Sequence, residues 1–295
     1  MPHVLTLVAA RVATTLAAAD IEAVRDAIGA GGSVGAPVVL SPGEAVDITA
    51  DAAPDMNRVR AALGKRAVDV IATGTRGRRK GLLIADMDST IVTGETLDEL
   101  ADFAGLKDRI AAITWAAMNG ELDFKAALRE RVAMLAGLKL EALEKTWERV
   151  RLTPGARELV RTMAAHNATT ALVSGGFTWF TGRVAALTGF AVHRANTLLD
   201  DGVALTGKVA EPIVDRDTKV ATLRDLAAER RLKMAATLAV GDGANDLPML
   251  LEAGLGVAFH AKPIVAAEAR ARVDHADLRA LLFAQGYRAG EFVVD

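Results

Sequence analysis

The chain is predicted to be α/β: a doubly wound, mostly parallel sheet that carries an inserted helical cap and follows a small N-terminal α+β module. Three observations predict this. Short apolar runs recur at Leu82–Ala85, Thr169–Val173, Leu238–Val240 and Leu255–Phe259, with helical patterns between them. Runs without polar alternation suit central parallel strands buried on both faces, and strand–helix alternation suits a doubly wound sheet. About 80 residues separate the first two runs, too many for one crossover helix, so a helical insertion is expected there. The first 75 residues differ in texture from the rest.

Residues 1–75 hold strand candidates at Val4–Val8 and Pro37–Leu40 and helical patterns at Ile21–Ile28 and Asn57–Leu63. Gly29, Gly31, Gly32 and Gly35 mark a loop. This segment reads as a small α+β module without a chemical motif, a candidate for regulation. Residues 76–80, Arg76-Gly77-Arg78-Arg79-Lys80, form a basic joint that reads as a solvated linker rather than a nucleic-acid contact. The main domain then spans 81–295, with the cap inserted at about 94–153. Ile113, Phe124, Leu128 and Leu135 carry the cap's helical periodicity, and Thr153-Pro154-Gly155 returns the chain to the core. A second excursion, Asn196–Val209, reads as a hairpin about Asp201-Gly202.

Composition excludes several classes. Among 295 residues 51% are hydrophobic and 24% charged, so core material is ample and there is no disorder signature. The 35 basic and 37 acidic residues leave a net charge of −2, which builds in no attraction to nucleic acid or anionic lipid. Cysteine is absent. That excludes disulfides, zinc-thiolate sites, iron–sulfur clusters and cysteine nucleophiles, so any metal must use oxygen or the histidines. No segment approaches the roughly 20 apolar residues of a membrane span. Val4–Ala10 also lacks the basic lead of a signal peptide. A soluble, cytoplasmic protein is expected.

In open α/β sheets, ligands bind beyond the carboxyl ends of the strands. Two of the runs end there in acid clusters, Asp86-Met87-Asp88-Ser89-Thr90 and Gly241-Asp242-Gly243-Ala244-Asn245-Asp246. Carboxylates converging on one crevice repel unless they are protonated or bridged by a cation. An oxygen-only donor set suits Mg2+ better than zinc. Either cluster alone also reads as a turn or a helix cap; the two together favour a site.

Ser174-Gly175-Gly176 reads as a turn opening a helix, which offers a hydroxyl and backbone N–H groups to an anion, or as a plain serine cap. Lys219 sits just inside a helix expected to be capped by Asp217, where a cation opposes the helix dipole. Arg131 shares the inward face of its helix with Phe124, Ala127, Leu128 and Leu135, whereas Arg129 points to solvent. A guanidinium on a buried face needs an anionic partner, either a structural carboxylate or a substrate. Glu95 reads as a helix-start acid or as part of the site.

At these residues the chain resembles the haloacid dehalogenase superfamily, whose phosphatases carry DxDx[TS], a later Ser or Thr, a Lys and a final acidic loop. Asp86, Asp88, Thr90, Ser174, Lys219 and the loop Asp242–Asp246 match in order. It is similar in particular to the phosphoserine phosphatase family. Glu95-Thr96-Leu97-Asp98-Glu99, Leu128-Arg129-Glu130-Arg131-Val132, Val173–Phe177 and Ala261–Pro263 carry that likeness, which runs from about Leu82 to Leu282. It does not cover the first 75 residues, where longer family members carry a regulatory-type α+β module.

The resemblance implies that Asp86 attacks phosphorus and forms an aspartyl-phosphate, with Asp88 as general acid and then base. It implies Mg2+ ligation by the Asp86 carboxylate, the Asp88 backbone carbonyl and Asp242, supported by Asp246. Ser174, Gly175 and Lys219 are expected on the phosphoryl oxygens, with Asn245 fixing the reacting group. Glu95 is expected to pair with the substrate ammonium and Arg131 with its carboxylate. The expected activity is Mg2+-dependent hydrolysis of O-phosphoserine, the last step of serine biosynthesis. The expected partner is that small molecule, with no nucleic acid or membrane, and a homodimer is left open. One alternative is a phosphatase of the same fold for another phosphorylated amino acid or small metabolite. The other is a phosphoacceptor signalling domain, which has no use for Asp88 as an acid or for a charged cap.

Overall fold

Four strands and two helices alternate through the start of the chain: β1 (His3–Ala9), helix Ala18–Gly29, β2 (Val38–Ser41), β3 (Ala45–Ala50), helix Met56–Leu63 and β4 (Val68–Gly74). The computed structural model describes residues 2–29, 32–119 and 121–294, so Gly31 of the glycine run lies outside them. The strands pair antiparallel in the order β2-β3-β1-β4. Leu5 and Leu7 of β1 and Val46 and Ile48 of β3 lie two residues apart on one face, packed with Val24, Ile28 and Val59 of the helices. β3 and β4 are additional to the two strands expected here. Each carries a buried aspartate, Asp47 or Asp69, that interrupts its apolar pattern.

Both aspartates work at the junction with the rest of the chain. Asp69 accepts hydrogen bonds from three successive backbone N–H groups, those of Asp274, His275 and Ala276, at 2.8, 3.0 and 2.7 Å. Arg78 donates to both carboxylate oxygens of Asp47 at 2.6 and 3.0 Å, and to the carbonyls of Phe283 and Ala284. The basic joint is therefore not solvated at Arg78, whose side chain is 15% exposed. A buried carboxylate needs hydrogen-bond donors or a cation to compensate its lost hydration: Asp69 has the three N–H groups, and Asp47 the Arg78 guanidinium.

The second sheet holds six parallel strands in the order β12-β11-β10-β5-β6-β7. These are β5 (Leu82–Ala85), β6 (Thr169–Phe177), β7 (Val192–Asn196), β10 (Thr237–Gly241), β11 (Leu255–Phe259) and β12 (Ala271–Val273); an antiparallel hairpin, β8 (Leu198–Asp200) and β9 (Leu205–Val209), intervenes. Alternate residues of β5 feed opposite faces. Leu83 and Ala85 join one core cluster, Leu82 and Ile84 the other. Both faces are covered, which is why the run has no polar alternation.

Four cap helices, Thr96–Asp102, Lys107–Met118, Phe124–Ala133 and Glu141–Arg149, lie between β5 and β6. The segments entering and leaving the cap pair with each other: Val92 bridges Leu152, and the Thr153 N–H donates to the Ile91 carbonyl. The β8–β9 hairpin braces the cap, with Leu205 exchanging backbone hydrogen bonds with Gly137 and Leu138. Ion pairs Lys125–Asp215 at 2.7 Å and Arg129–Glu211 at 2.6 Å tie the helix Phe124–Ala133 to the segment ahead of Lys219. Among the described residues no helix is long and apolar enough to cross a membrane.

Candidate active site

β5 and β10 are neighbours, so the two acid clusters that follow them meet at one end of the sheet. Asp86 follows β5 and accepts the Met87 N–H at 2.8 Å, which starts a tight turn through Ile91. Asp242 and Asp246 come from the loop after β10. Asp86, Asp242 and Asp246 are all buried and each offers an oxygen within 4.8 Å of the others. Lys219 reaches between them, 2.8 Å from Asp86 and 2.6 Å from Asp246.

The helix Arg216–Glu229 delivers Lys219, and its cap is Asp215 rather than the expected Asp217. Asp215 accepts the Thr218 N–H at 2.9 Å while the Thr218 hydroxyl accepts the Asp215 N–H, a reciprocal box. Three residues beyond Asp217 stands Val220, which has no hydroxyl to return the bond.

The metal expectation is tested by the donors themselves. Among the described residues Asp242 Oδ2 is buried without a hydrogen-bond partner, and Oδ1 receives only the Thr90 hydroxyl at 3.2 Å. Burial, then the nearby Glu95 and Asp246 carboxylates, pushes Asp242 well above the usual carboxylate range. Burial and Asp86 push Asp246 up to about 7. Three oxygen donors, one of them orphaned, fit a hard divalent cation. Asp88 is not in this trio. Its side chain turns to the cap, where Oδ1 accepts the Thr96 N–H at 2.9 Å and so caps the helix Thr96–Asp102. Burial, and next Glu95, raises Asp88 well above an ordinary carboxyl, a shift that favours its protonated form.

Ser174 is buried and accepts the Gly176 N–H at 2.9 Å. The expected helix does not open there. β6 runs on to Phe177, which pairs with Asn196 of β7, and the helix begins at Thr178. Gly176 permits a close approach, since an added Cβ would lie 2.6 Å from Asp88 Oδ2. Asn196 braces the loop, donating to the Gly175 carbonyl at 2.8 Å and accepting the Val214 N–H at 2.7 Å.

The cap brings Glu95 and Arg131 to the same place. Glu95 occupies the cap position of its helix without capping it. The Ser89 hydroxyl donates to its carboxylate at 2.5 Å instead, and burial followed by the Asp98 and Asp86 charges pushes it up to about 7. Arg131 is 6% exposed, and burial lowers its pKa from the usual guanidinium value. Asp86, Asp88, Glu95, Arg131, Ser174 and Asn245 border one cavity with about 50 Å³ of free space. The Phe124 ring closes over Gly175, where an added Cβ would sit 2.7 Å from it. Ser89, Thr114, Phe124 and Asn196 had no assigned part in the site. Two of them have a signal in the sequence: Phe124 shares the inward face with Arg131, and Ser89 lies inside the first acid cluster.

A parallel α/β sheet with paired acid loops, a buried lysine and an inserted cap defines a capped phosphohydrolase. The family model of the haloacid dehalogenase-like hydrolases matches residues 83–251. The chain belongs to that family and, within it, to the phosphoserine phosphatases. It is 48% identical over 200 residues to a phosphoserine phosphatase of Streptococcus thermophilus, covering 68% of this chain and 93% of that one. It is 45% identical over 220 residues to one of Streptomyces coelicolor, covering 74% of this chain and 53% of that one. The matched region is thus about half the length of the Streptomyces protein. A solved structure described as a phospho-aspartyl intermediate analogue of phosphoserine phosphatase superposes with a TM-score of 0.66 at 38% identity, over 70% of this chain and 98% of that one.

Proposed function

We propose that this chain hydrolyses O-phosphoserine to serine and phosphate in the cytoplasm, as the last step of serine biosynthesis. One observation carries the substrate: Glu95 and Arg131, of opposite charge, border the same small cavity as Asp86 and Asp88. A phosphorylated zwitterion uses both; a sugar phosphate needs neither.

Asp86 attacks phosphorus as the bond to the serine oxygen breaks, and the Asp88 carboxyl gives its proton to the departing oxygen. Asp88 then takes a proton from water, which attacks the aspartyl-phosphate and releases phosphate and the Asp86 carboxylate. Ser174, the Gly175 backbone and Lys219 bind the phosphoryl oxygens, and Asn245 helps fix the group. Asp86, the Asp88 carbonyl, Asp242 and Asp246 would hold Mg2+, which supplies charge neutralisation for a phosphate dianion. The cap closes over the reactants and excludes bulk water, leaving the one that Asp88 activates. Phosphate release from phosphoserine, phosphothreonine and a sugar phosphate, each with and without Mg2+, tests this. Phosphoserine with Mg2+ is expected to be fastest by a wide margin; preference for the sugar phosphate would overturn the assignment.

A further inference from the structure

Thr114 lies on the cap helix Lys107–Met118 and is 4% exposed. Its hydroxyl oxygen is 2.9 Å from Arg131 Nη1, 2.7 Å from Asp98 Oδ1 and 3.0 Å from the Ile110 carbonyl. Arginine has only donors, so Thr114 Oγ1 accepts from Arg131, and its single proton is left for Asp98 or Ile110. The shorter contact is the carboxylate. Among the described residues Arg131 has one other tether, from Nε to the Ala127 carbonyl at 3.1 Å. Both of its acceptors are neutral. Of five guanidinium N–H groups two are engaged and three stay available.

The hydroxyl therefore acts as a spacer. A carboxylate in direct contact would neutralise the guanidinium and occupy its fork in two parallel bonds. With Thr114 between them, the Asp98 charge polarises the hydroxyl and fixes the guanidinium plane, while both Nη2 N–H groups and the second Nη1 N–H stay free for a substrate oxygen. Thr114 and Arg131 border the cavity together. We infer that Thr114, backed by Asp98, is a positioning residue that aims Arg131 at the carboxylate of the substrate. This rests on the proposed role of Arg131 as reader of that carboxylate.

The same bonds join three cap helices, so a purely structural role is the rival. The test compares phosphoserine with phosphoethanolamine, which keeps the phosphate and the ammonium but lacks the carboxylate. Thr114→Val keeps the shape and removes the hydroxyl; Thr114→Ser restores it. Thr114→Val should raise KM for phosphoserine about five- to twentyfold with kcat little changed, and shift phosphoethanolamine less than about twofold. Thr114→Ser should stay near wild type. Asp98→Asn, which keeps the fold's volume, should move KM in the same direction by less. Equal losses on both substrates, or no change with phosphoserine, would overturn the positioning role. Arg131→Ala separates the two claims. If it loses activity on phosphoserine alone while Thr114→Val does not, the carboxylate reader stands and the positioning role falls. If Arg131→Ala slows both substrates alike, the carboxylate reader itself is wrong.

Discussion

Lys219 Nζ lies 2.8 Å from Asp86 Oδ1, and neither side chain is more than 5% exposed. Burial alone would lower the lysine pKa, but the Asp246 and Asp86 carboxylates outweigh it and raise it. The ammonium is therefore fixed at neutral pH, where it can hold both the proposed nucleophile and an incoming phosphoryl oxygen.

Replacing it should cost stability as well as turnover. Lys219→Met leaves two buried carboxylates without their cation, a loss of about 3–5 kcal/mol. The loss should shrink in acid, where Asp246, held up to about 7, takes up a proton. Denaturant titrations at neutral and acidic pH measure it; a variant as stable as wild type at neutral pH would contradict the pairing.

The acid cluster sets a pH dependence. In the metal-free protein Glu95 and Asp246 are held up to about 7, and Asp88 and Asp242 are also raised, in each case first by burial. A carboxyl whose folded pKa exceeds its unfolded value binds more protons when folded, so stability falls as pH rises from the ordinary carboxylate range through 7 and beyond. In chelator, Tm should drop between about pH 6 and about pH 8, and Mg2+ should recover most of the loss at the higher pH. A metal-free Tm that climbs over that interval would contradict the buried, uncompensated carboxylates.

Asp69 predicts how the two sheets are joined. Asp69→Ala removes the acceptor of three backbone N–H groups at Asp274–Ala276 and should cost about 2–4 kcal/mol, with kcat/KM of the folded fraction unchanged. Thermal melts and steady-state kinetics on the same preparation check both parts. An unchanged Tm would show that the junction is held elsewhere.

The core was legible because buried parallel strands are apolar throughout, and Leu82–Ala85, Leu238–Val240 and Leu255–Phe259 have no other simple reading. Edge strands β7 and β12 were not: β7 is half exposed and β12 only three residues long. Asp86, Asp242 and Asp246 were legible as acids at strand ends, and the structure brings them together. The bonds made by Thr114, Ser89 and Asn196 were not, because a hydroxyl or amide gains its role from partners 6 to 21 residues away in the chain. The Asp217 cap expectation failed for a local reason, the threonine three residues beyond Asp215.

The proposed chemistry is tested most directly by acid-quenching the enzyme during turnover of phosphoserine and mapping the phosphoryl group by peptide mass. Asp86 should be phosphorylated within the first turnover and lose the group as phosphate is released. Asp86→Asn should carry no phosphoryl group and release phosphate at least about a thousandfold more slowly. A phosphoryl group on another residue, or phosphate release from Asp86→Asn near the wild-type rate, would contradict Asp86 as the nucleophile.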